Sequence, residues 1–286
     1  MTGAARIPVA AGSGLRQTAR VIRYDGTIRI VDADRATALA AVEKHHRGQA
    51  HTGDFFMADQ QLSGRPLRLE VDDQPAGMAV VDNGILSLCT LEPGFSRYDR
   101  PLLEAVLAQT GARQAYAASW DQHHVNLFGN FARGVDNQAY QFELVRPQDL
   151  TDPVPGLTLA TAVEADLDYL VGTGFQDDYT GLMARRELKV ARLDGSEVGV
   201  GVAVPQQLGN GRVDIGMFTE PAARRTGIGR SILALAAREV LAAGLSPAAG
   251  CWWRNWASRR TIEAAGLTCV GTIFRFELEP DRFRAP

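Results

Sequence analysis

The chain has 286 residues, 45% of them hydrophobic and 22% charged, which is enough apolar material for one large or two modest domains and excludes a disordered chain. Its net charge of −3 comes from 30 Lys and Arg spread among 33 Asp and Glu, leaving no basic stripe for nucleic acid. No stretch nears the roughly 20 apolar residues that span a bilayer, and Cys89, Cys251 and Cys269 include no close pair, which argues against a disulfide framework or zinc site and fits a reducing cytoplasm.

Residues 1–26 carry scattered arginines and no continuous apolar segment, so they read as a flexible arm rather than a secretory signal. A first half follows over residues 27–146. Ile28 to Val31 is a strand followed by a helical stretch. Leu67–Val71, Ala76–Val81 and Ile85–Leu88 are short strands, with turns at Asp72-Asp73 and Asn83-Gly84. A helix from Pro101 to about Gln109 ends near Gly111. No acid or thiol completes a ligand set with His45, His46 and His51 or with His123 and His124, so helix-surface or loop histidines are expected rather than a metal site.

Residues 147–156 hold three prolines and no hydrophobic period, which marks a linker. The second half, 157–286, repeats the order of the first. Leu157–Thr161 is a strand and Val163 to about Val171 a helix. Leu188–Leu193 and Glu197–Val204 form a hairpin through Asp194-Gly195, and Arg212–Phe218 is the next strand. A helix runs from about Gly229 to Ala243 and stops at Gly244. Ala248–Trp253 is a strand, Asn255 caps a helix to Ala265, and Leu267–Phe276 closes the sheet. Trp252, Trp253 and Trp256, with Trp120 in the first half, read as strand-end core packing rather than a stacking platform.

Between the strand at Arg212 and the helix at Gly229 lies Arg224-Arg225-Thr226-Gly227-Ile228-Gly229. Glycines let successive N–H groups aim at one point, and a helix start adds unpaired donors and the positive end of its dipole. Arg224, Arg225 and Arg230 add charge that suits a pyrophosphate. Neither G-K-[ST] nor G-x-G-x-x-G in a parallel βαβ unit occurs, so the common nucleotide motifs do not account for the loop.

The run from Thr219-Glu220-Pro221 through Gly227-Ile228-Gly229-Arg230 to Leu233 resembles the cofactor motif of the GNAT acyltransferase family. Downstream, Asn255-x-x-Ser258 followed by Ala264-Ala265-Gly266-Leu267 resembles that family's second conserved segment, and the match spans about Leu157 to Phe276. The resemblance implies a mixed α/β fold of two tandem GNAT-like domains, each a mostly antiparallel sheet flanked by helices. It implies acetyl-CoA as co-substrate and no metal. Backbone groups of Met217, Phe218 and Thr219 would pair with the pantetheine arm. Those of Arg225, Thr226, Gly227, Ile228, Gly229 and Arg230 would hold the pyrophosphate beside Arg224. Asn255 and Ser258 would flank the cofactor, although a plain helix cap explains that pair equally well.

Aligning Glu92-Pro93 on Glu220-Pro221 places Ser96 opposite Arg224, Asp99 opposite Gly227 and Pro101 opposite Gly229. A carboxylate there repels a pyrophosphate by about 4 kcal/mol per unit charge at roughly 4 Å, against about 0.3–1 kcal/mol from the helix dipole. Proline also deletes a donor. The first half therefore reads as a degenerate copy that binds no CoA in this mode, an arrangement similar to tandem GNAT proteins such as mycothiol synthases. Its job would be to wall the acceptor cleft, and the tandem copy would make the chain a monomer.

An amine with a pKa near 10 is neutral in about one molecule per thousand at pH 7, so a base, a water chain or desolvation must remove its proton. Asp214 stands where the family often places a glutamate and is the candidate base, the alternative being a polar residue satisfied by neighbouring elements. The tyrosine that the family uses as leaving-group acid is replaced by Ile262. Asp177, Asp178 and Tyr179 fall in the region that lines the acceptor site in the family, or else form a solvated acidic turn. The activity expected is N-acetylation of a small-molecule amine between the halves. Alternatives are another acyl-CoA, a hydroxyl acceptor or a non-catalytic CoA sensor.

Overall fold

The turns at Asp72-Asp73, Asn83-Gly84 and Asp194-Gly195 are left-handed at both central residues, with φ between 47° and 82°, the geometry that joins right-twisted strands in two-residue hairpins. This holds in the computed structural model, which describes residues 26–279 apart from 52, 207 and 209. The expected arm over residues 1–26 lies, but for Gly26, outside the described residues.

The first half runs β1 (Ile28–Asp32), α1 (Arg35–Arg47), α2 (Phe55–Ser63), β2 (Arg65–Val71), β3 (Gln74–Asp82), β4 (Ile85–Leu91), α3 (Asp99–Thr110), β5 (Gln114–Ala118), α4 (Gln122–Phe131) and β6 (Ala132–Glu143). The second runs β7 (Leu157–Thr161), α5 (Leu167–Thr173), α6 (Tyr179–Ala184), β8 (Leu188–Leu193), β9 (Ser196–Pro205), β10 (Arg212–Thr219), α7 (Ile228–Ala242), β11 (Ser246–Trp252), α8 (Trp256–Ala265) and β12 (Thr268–Leu278). Each helical stop expected at a glycine is a left-handed residue: Gly111, Gly244 and Gly266 have φ of 69°, 75° and 108°.

All twelve strands form one sheet in the order β1-β2-β3-β4-β5-β12-β6-β11-β10-β9-β8-β7. The sequence alone closes the second half with its own last strand. The structure corrects this: β12 lies between β5 and β6 of the first half, and β6 lies against β11 of the second. The halves thus exchange their final strands about a pseudo-twofold between β6 and β12. Apolar side chains account for the exchange. Phe276 and Leu278 of β12 complete the core built on Leu67, Leu86, Leu102 and Phe128, while Phe142 of β6 completes the core of α7, α8 and β10. Each is at most 3% exposed and contributes about 1.5–3 kcal/mol of burial.

The linker packs down. Thr151 N–H donates to the Ala265 carbonyl (3.1 Å) and Val154 N–H to Ser231 Oγ (3.0 Å), which ties it to the first turn of α7.

Candidate active site

In the second half, β10 pairs in parallel with β11 only from Arg212 to Asp214, opposite Ser246 to Ala248. Beyond that the strands part, which leaves one edge of Ile215–Thr219 without a strand neighbour. A cleft of about 620 Å³ opens beside that edge. Its floor is the loop before α7, where Arg225 (φ 65°) and Gly227 (φ 92°) are left-handed and turn the N–H groups at the helix start toward the opening. Gly229 brings that start close. A side chain there would come within 3.0 Å of Thr219 Oγ1 and 3.1 Å of Thr261 Cγ2, closing the slot between α7, β10 and α8.

Ten of the twelve residues expected to hold a cofactor line this cleft. Met217, Phe218 and Thr219 come from the strand edge, Arg224, Arg225, Gly227, Gly229 and Arg230 from the loop, and Asn255 and Ser258 from the start of α8. Thr226 and Ile228 do not line it. The Thr226 hydroxyl donates to the Ala223 carbonyl (2.7 Å), and the Ile228 side chain is buried in the core against Leu157 and Ala191. Asn255 caps α8, its Oδ1 accepting from Ser258 N–H at 3.0 Å. Sequence reasoning missed Ala257, Arg260, Thr261 and Ala264, which also line the cleft. Their spacing of three and four residues marks one helical face, the signal that reveals them. With Arg260, four arginines line one space, a density of positive charge suited to a polyphosphate, and Arg224 Nε donates to the Thr219 carbonyl (3.1 Å).

The corresponding gap in the first half is bridged at Cys89 by the protein itself, beside a cavity of about 510 Å³ lined by Lys44, Arg68, Thr90, Glu92 and His123. There β4 and β5 pair only at Ile85 and Leu86 before parting. Cys89 stands three residues before Glu92, as Met217 stands three before Glu220. Its backbone N–H donates to His124 Nε2 (2.9 Å), and His123 Nε2 lies 3.1 Å from its carbonyl. Asp121 caps α4 as Asn255 caps α8, so His124 occupies the position of Ser258. At the start of α3 the Asp99 carboxylate accepts from Arg100 N–H (2.5 Å) and occupies the donor end that an anion would use.

Asp121 also corrects the reading of the histidines, because it brings the missing acid to His45 and His124. Its Oδ2 lies 2.5 Å from His124 Nδ1 and 3.0 Å from His45 Nε2. Since His124 Nε2 accepts from Cys89, the ring proton sits on Nδ1 and is donated to Asp121. A metal on Nδ1 would force a proton onto Nε2, against the Cys89 N–H. The cluster's geometry is that of a proton-bonded network. Burial alone would raise the Asp121 carboxyl, but the hydrogen bonds from His124 and His45 outweigh it and hold the group well below the usual carboxylate range. Burial lowers His124.

Asp214 points from β10 away from α7, on the face opposite Val213 and Ile215. Its Oδ1 accepts from Gln206 Nε2 (3.0 Å), and its Oδ2 is shielded with no hydrogen-bond partner among the described residues. Burial, then the charge of Asp54, pushes its pKa up to about 7. Ile262 is 2% exposed in the core, so no acid stands at the expected tyrosine position.

Asp177, Asp178 and Tyr179, expected at the acceptor site, do not line this cofactor cleft. Asp178 caps α6, accepting from Gly181 N–H at 2.8 Å. The Tyr179 hydroxyl accepts from Gln176 N–H (2.9 Å) and lies 3.0 Å from Thr173 Oγ1. Asp177 is exposed. The tryptophan expectation holds for Trp120, half-buried over Gly271 and edge-on to His51, but not for Trp252 and Trp256, each 54% exposed. Trp252 ends β11 opposite Ala139 and Trp256 opens α8, and Arg254 and Arg259 lie over their rings at 5.9 and 5.6 Å.

No family model matches the sequence, and no curated protein does. Solved structures do match. An acetyltransferase of the GNAT family from Colwellia psychrerythraea superposes with a TM-score of 0.77 at 16% identity, covering 88% of this chain and all of that one. A tandem GNAT protein from the clavulanic acid biosynthesis pathway gives 0.60 at 12%, covering 88% and 98%. A GCN5-related N-acetyltransferase from Sphaerobacter thermophilus gives 0.58 at 17%, covering 87% and 95%. At these identities the likeness establishes the fold: a tandem GNAT fold, as the sequence motifs imply.

Proposed function

From a tandem GNAT fold whose second-half gap opens on a glycine loop and whose first-half gap is bridged by two histidines, we propose that the chain transfers the acetyl group of acetyl-CoA to a small-molecule amine, using the second half alone for the cofactor. The observation that carries this is the cleft beside β10, where a left-handed loop, a helix start and four arginines converge. Backbone N–H groups from Arg225 to Arg230 hold the pyrophosphate with the arginines. The unpaired edge of Met217 to Thr219 takes the pantetheine arm as a neighbouring strand would. Acetyl-CoA supplies a thioester carbonyl that the amine nitrogen attacks as the C–S bond breaks.

Asp214 accepts the amine's proton through water, and a pKa of about 7 leaves it close to half ionised at neutral pH. With Ile262 buried where an acid is expected, the departing thiolate takes its proton from solvent. The same residue favours a second reading, a CoA-binding sensor without turnover. In the first half, the hydrogen bonds of His123 and His124 to Cys89 and of Asp99 to its own helix support a silent copy.

Calorimetric titration of acetyl-CoA into the purified protein is expected to give one site per chain. Two sites would show that the first half also binds, and no binding would end the acyltransferase reading. Thiol release from acetyl-CoA across a panel of primary amines then separates the two readings. Release with any amine excludes the sensor, and none with any amine or alcohol favours it.

A further inference from the structure

Asp214 belongs to the second half, but the groups closing over it come from the first. The turn of Gly53 to Phe55 at the start of α2 reaches across to β10. Gln206 Nε2 donates to the Gly53 carbonyl (2.9 Å) and to Asp214 Oδ1 (3.0 Å), and the Phe55 backbone N–H favours the ionised form of the same carboxyl. Between them, Asp54 caps α2 through Met57 N–H (3.2 Å) and accepts from Gln141 Nε2 of β6 (3.0 Å). On β11, a side chain at Gly250 would overlap the Asp54 carboxylate, so glycine is what admits that carboxylate beside the parting strands.

The surrounding charges do not neutralise two acids. Arg212, on the same strand as Asp214, is engaged by Glu143 of β6, whose other oxygen lies 3.2 Å from His51 Nδ1. The Cys251 thiol is pushed by burial up to about 11 and stays neutral. Burial raises Asp54 as well. Two carboxyls that repel one another and have one already-paired cation nearby titrate together, in two steps that belong to the pair.

We propose that Asp54 and Asp214 share one proton at neutral pH, so that the first half sets the acidity at which the second half's base works. Resting on the reading of Asp214 as that base, the inference makes Asp54 a positioning residue that acts through Asp214. With one proton bound the pair carries a single negative charge. It takes one proton from an ammonium acceptor, through water, and returns it to solvent after transfer.

The test uses full-length protein carrying ¹³Cγ-labelled aspartate, titrated by NMR. Asp54→Asn and Asp54→Ser both keep a helix-capping side chain and remove the charge. In each, the Asp214 signal is expected to titrate at least one pH unit lower than in the parent. Hydrolysis of acetyl-CoA without acceptor draws on the same base, and the acid limb of its pH–rate profile should move down equally, up to a tenfold gain at pH 5.5 relative to pH 8. An Asp214 titration unmoved in both variants overturns the inference and leaves Asp214's own role standing. A titration that moves while the acid limb stays fixed overturns the base assignment and, with it, the catalytic part of the inference.

Discussion

A carboxyl such as Asp214 is costly to keep where it is, and the sign of that cost can be read from its titration. Its pKa rises from 3.8 in the unfolded chain to about 7 on folding, because burial and Asp54 disfavour the charge. Between those values the unfolded chain has released the proton and the folded chain retains it. Stability is therefore unaffected below pH 3.8, falls as pH rises toward 7, and stays lowered above it. Three pH units correspond to at most about 4 kcal/mol. Asp214→Asn, which cannot ionise, should match the parent near pH 4 and melt higher at pH 8 by roughly 5 °C in scanning calorimetry. The same variant should lose about 10²–10⁴-fold in turnover if Asp214 is the base. A variant that melts no higher than the parent at pH 8 would show that the carboxyl is solvated and not held as described. Asp214 itself was legible from its place on the strand before the glycine loop. Asp54 was not, since it lies 160 residues earlier and nothing in its local sequence says which strand it faces.

Among elements, the repeated unit of strand, turn, helix, strand and capped helix reads well from sequence because each part has a local cause. Gly227 and Gly266 are left-handed, Asn255 caps, and α8 shows one face to the cleft at helical spacing. What α4 does in the first copy was hidden, because apart from its own cap Asp121 the partners of its histidines lie elsewhere. Asp121 joins His45 from α1, and the His124 ring reaches β4. This histidine-rich layer between α1, α2 and α4 carries its own pH dependence. His46, hydrogen-bonded to Gln61 at 2.5 Å, is lowered by burial from 6.5 to about 4. From pH 6.5 down to 4 the unfolded chain binds a proton that the folded chain refuses, so stability present above 6.5 is lost across that window, by about 3 kcal/mol. His124, also lowered by burial, acts in the same direction. His46→Gln should therefore show a smaller fall in melting temperature between pH 6.5 and 4.5 than the parent. An equal fall would assign acid sensitivity to the carboxylates alone.

For the molecule as a whole, the exchanged strands decide how the halves hold together. The sequence shows Leu267–Phe276 as a strand and leaves β6 unread, and the neighbours of both depend on which core each apolar face completes, a property of both halves at once. Phe142 serves the second core and Phe276 with Leu278 the first, so separating the halves exposes all three and breaks the ladders β6–β11, β12–β5 and β12–β6. One chain thereby supplies both sides of an interface that two chains would otherwise make. The covalent linker should then be dispensable once the fold has formed. Asp152 has a side chain 98% exposed and lies in the linker, which makes the bond after it the place for an inserted protease site. After cleavage, the two pieces should co-elute as one particle, keep a single melting transition and bind acetyl-CoA as before, because about 1.5–3 kcal/mol from each exchanged side chain and the ladder hydrogen bonds remain. They should separate only in denaturant. Pieces that part in native buffer would mean that the linker, through Thr151 and Val154, holds the halves together and that the exchanged strands do not.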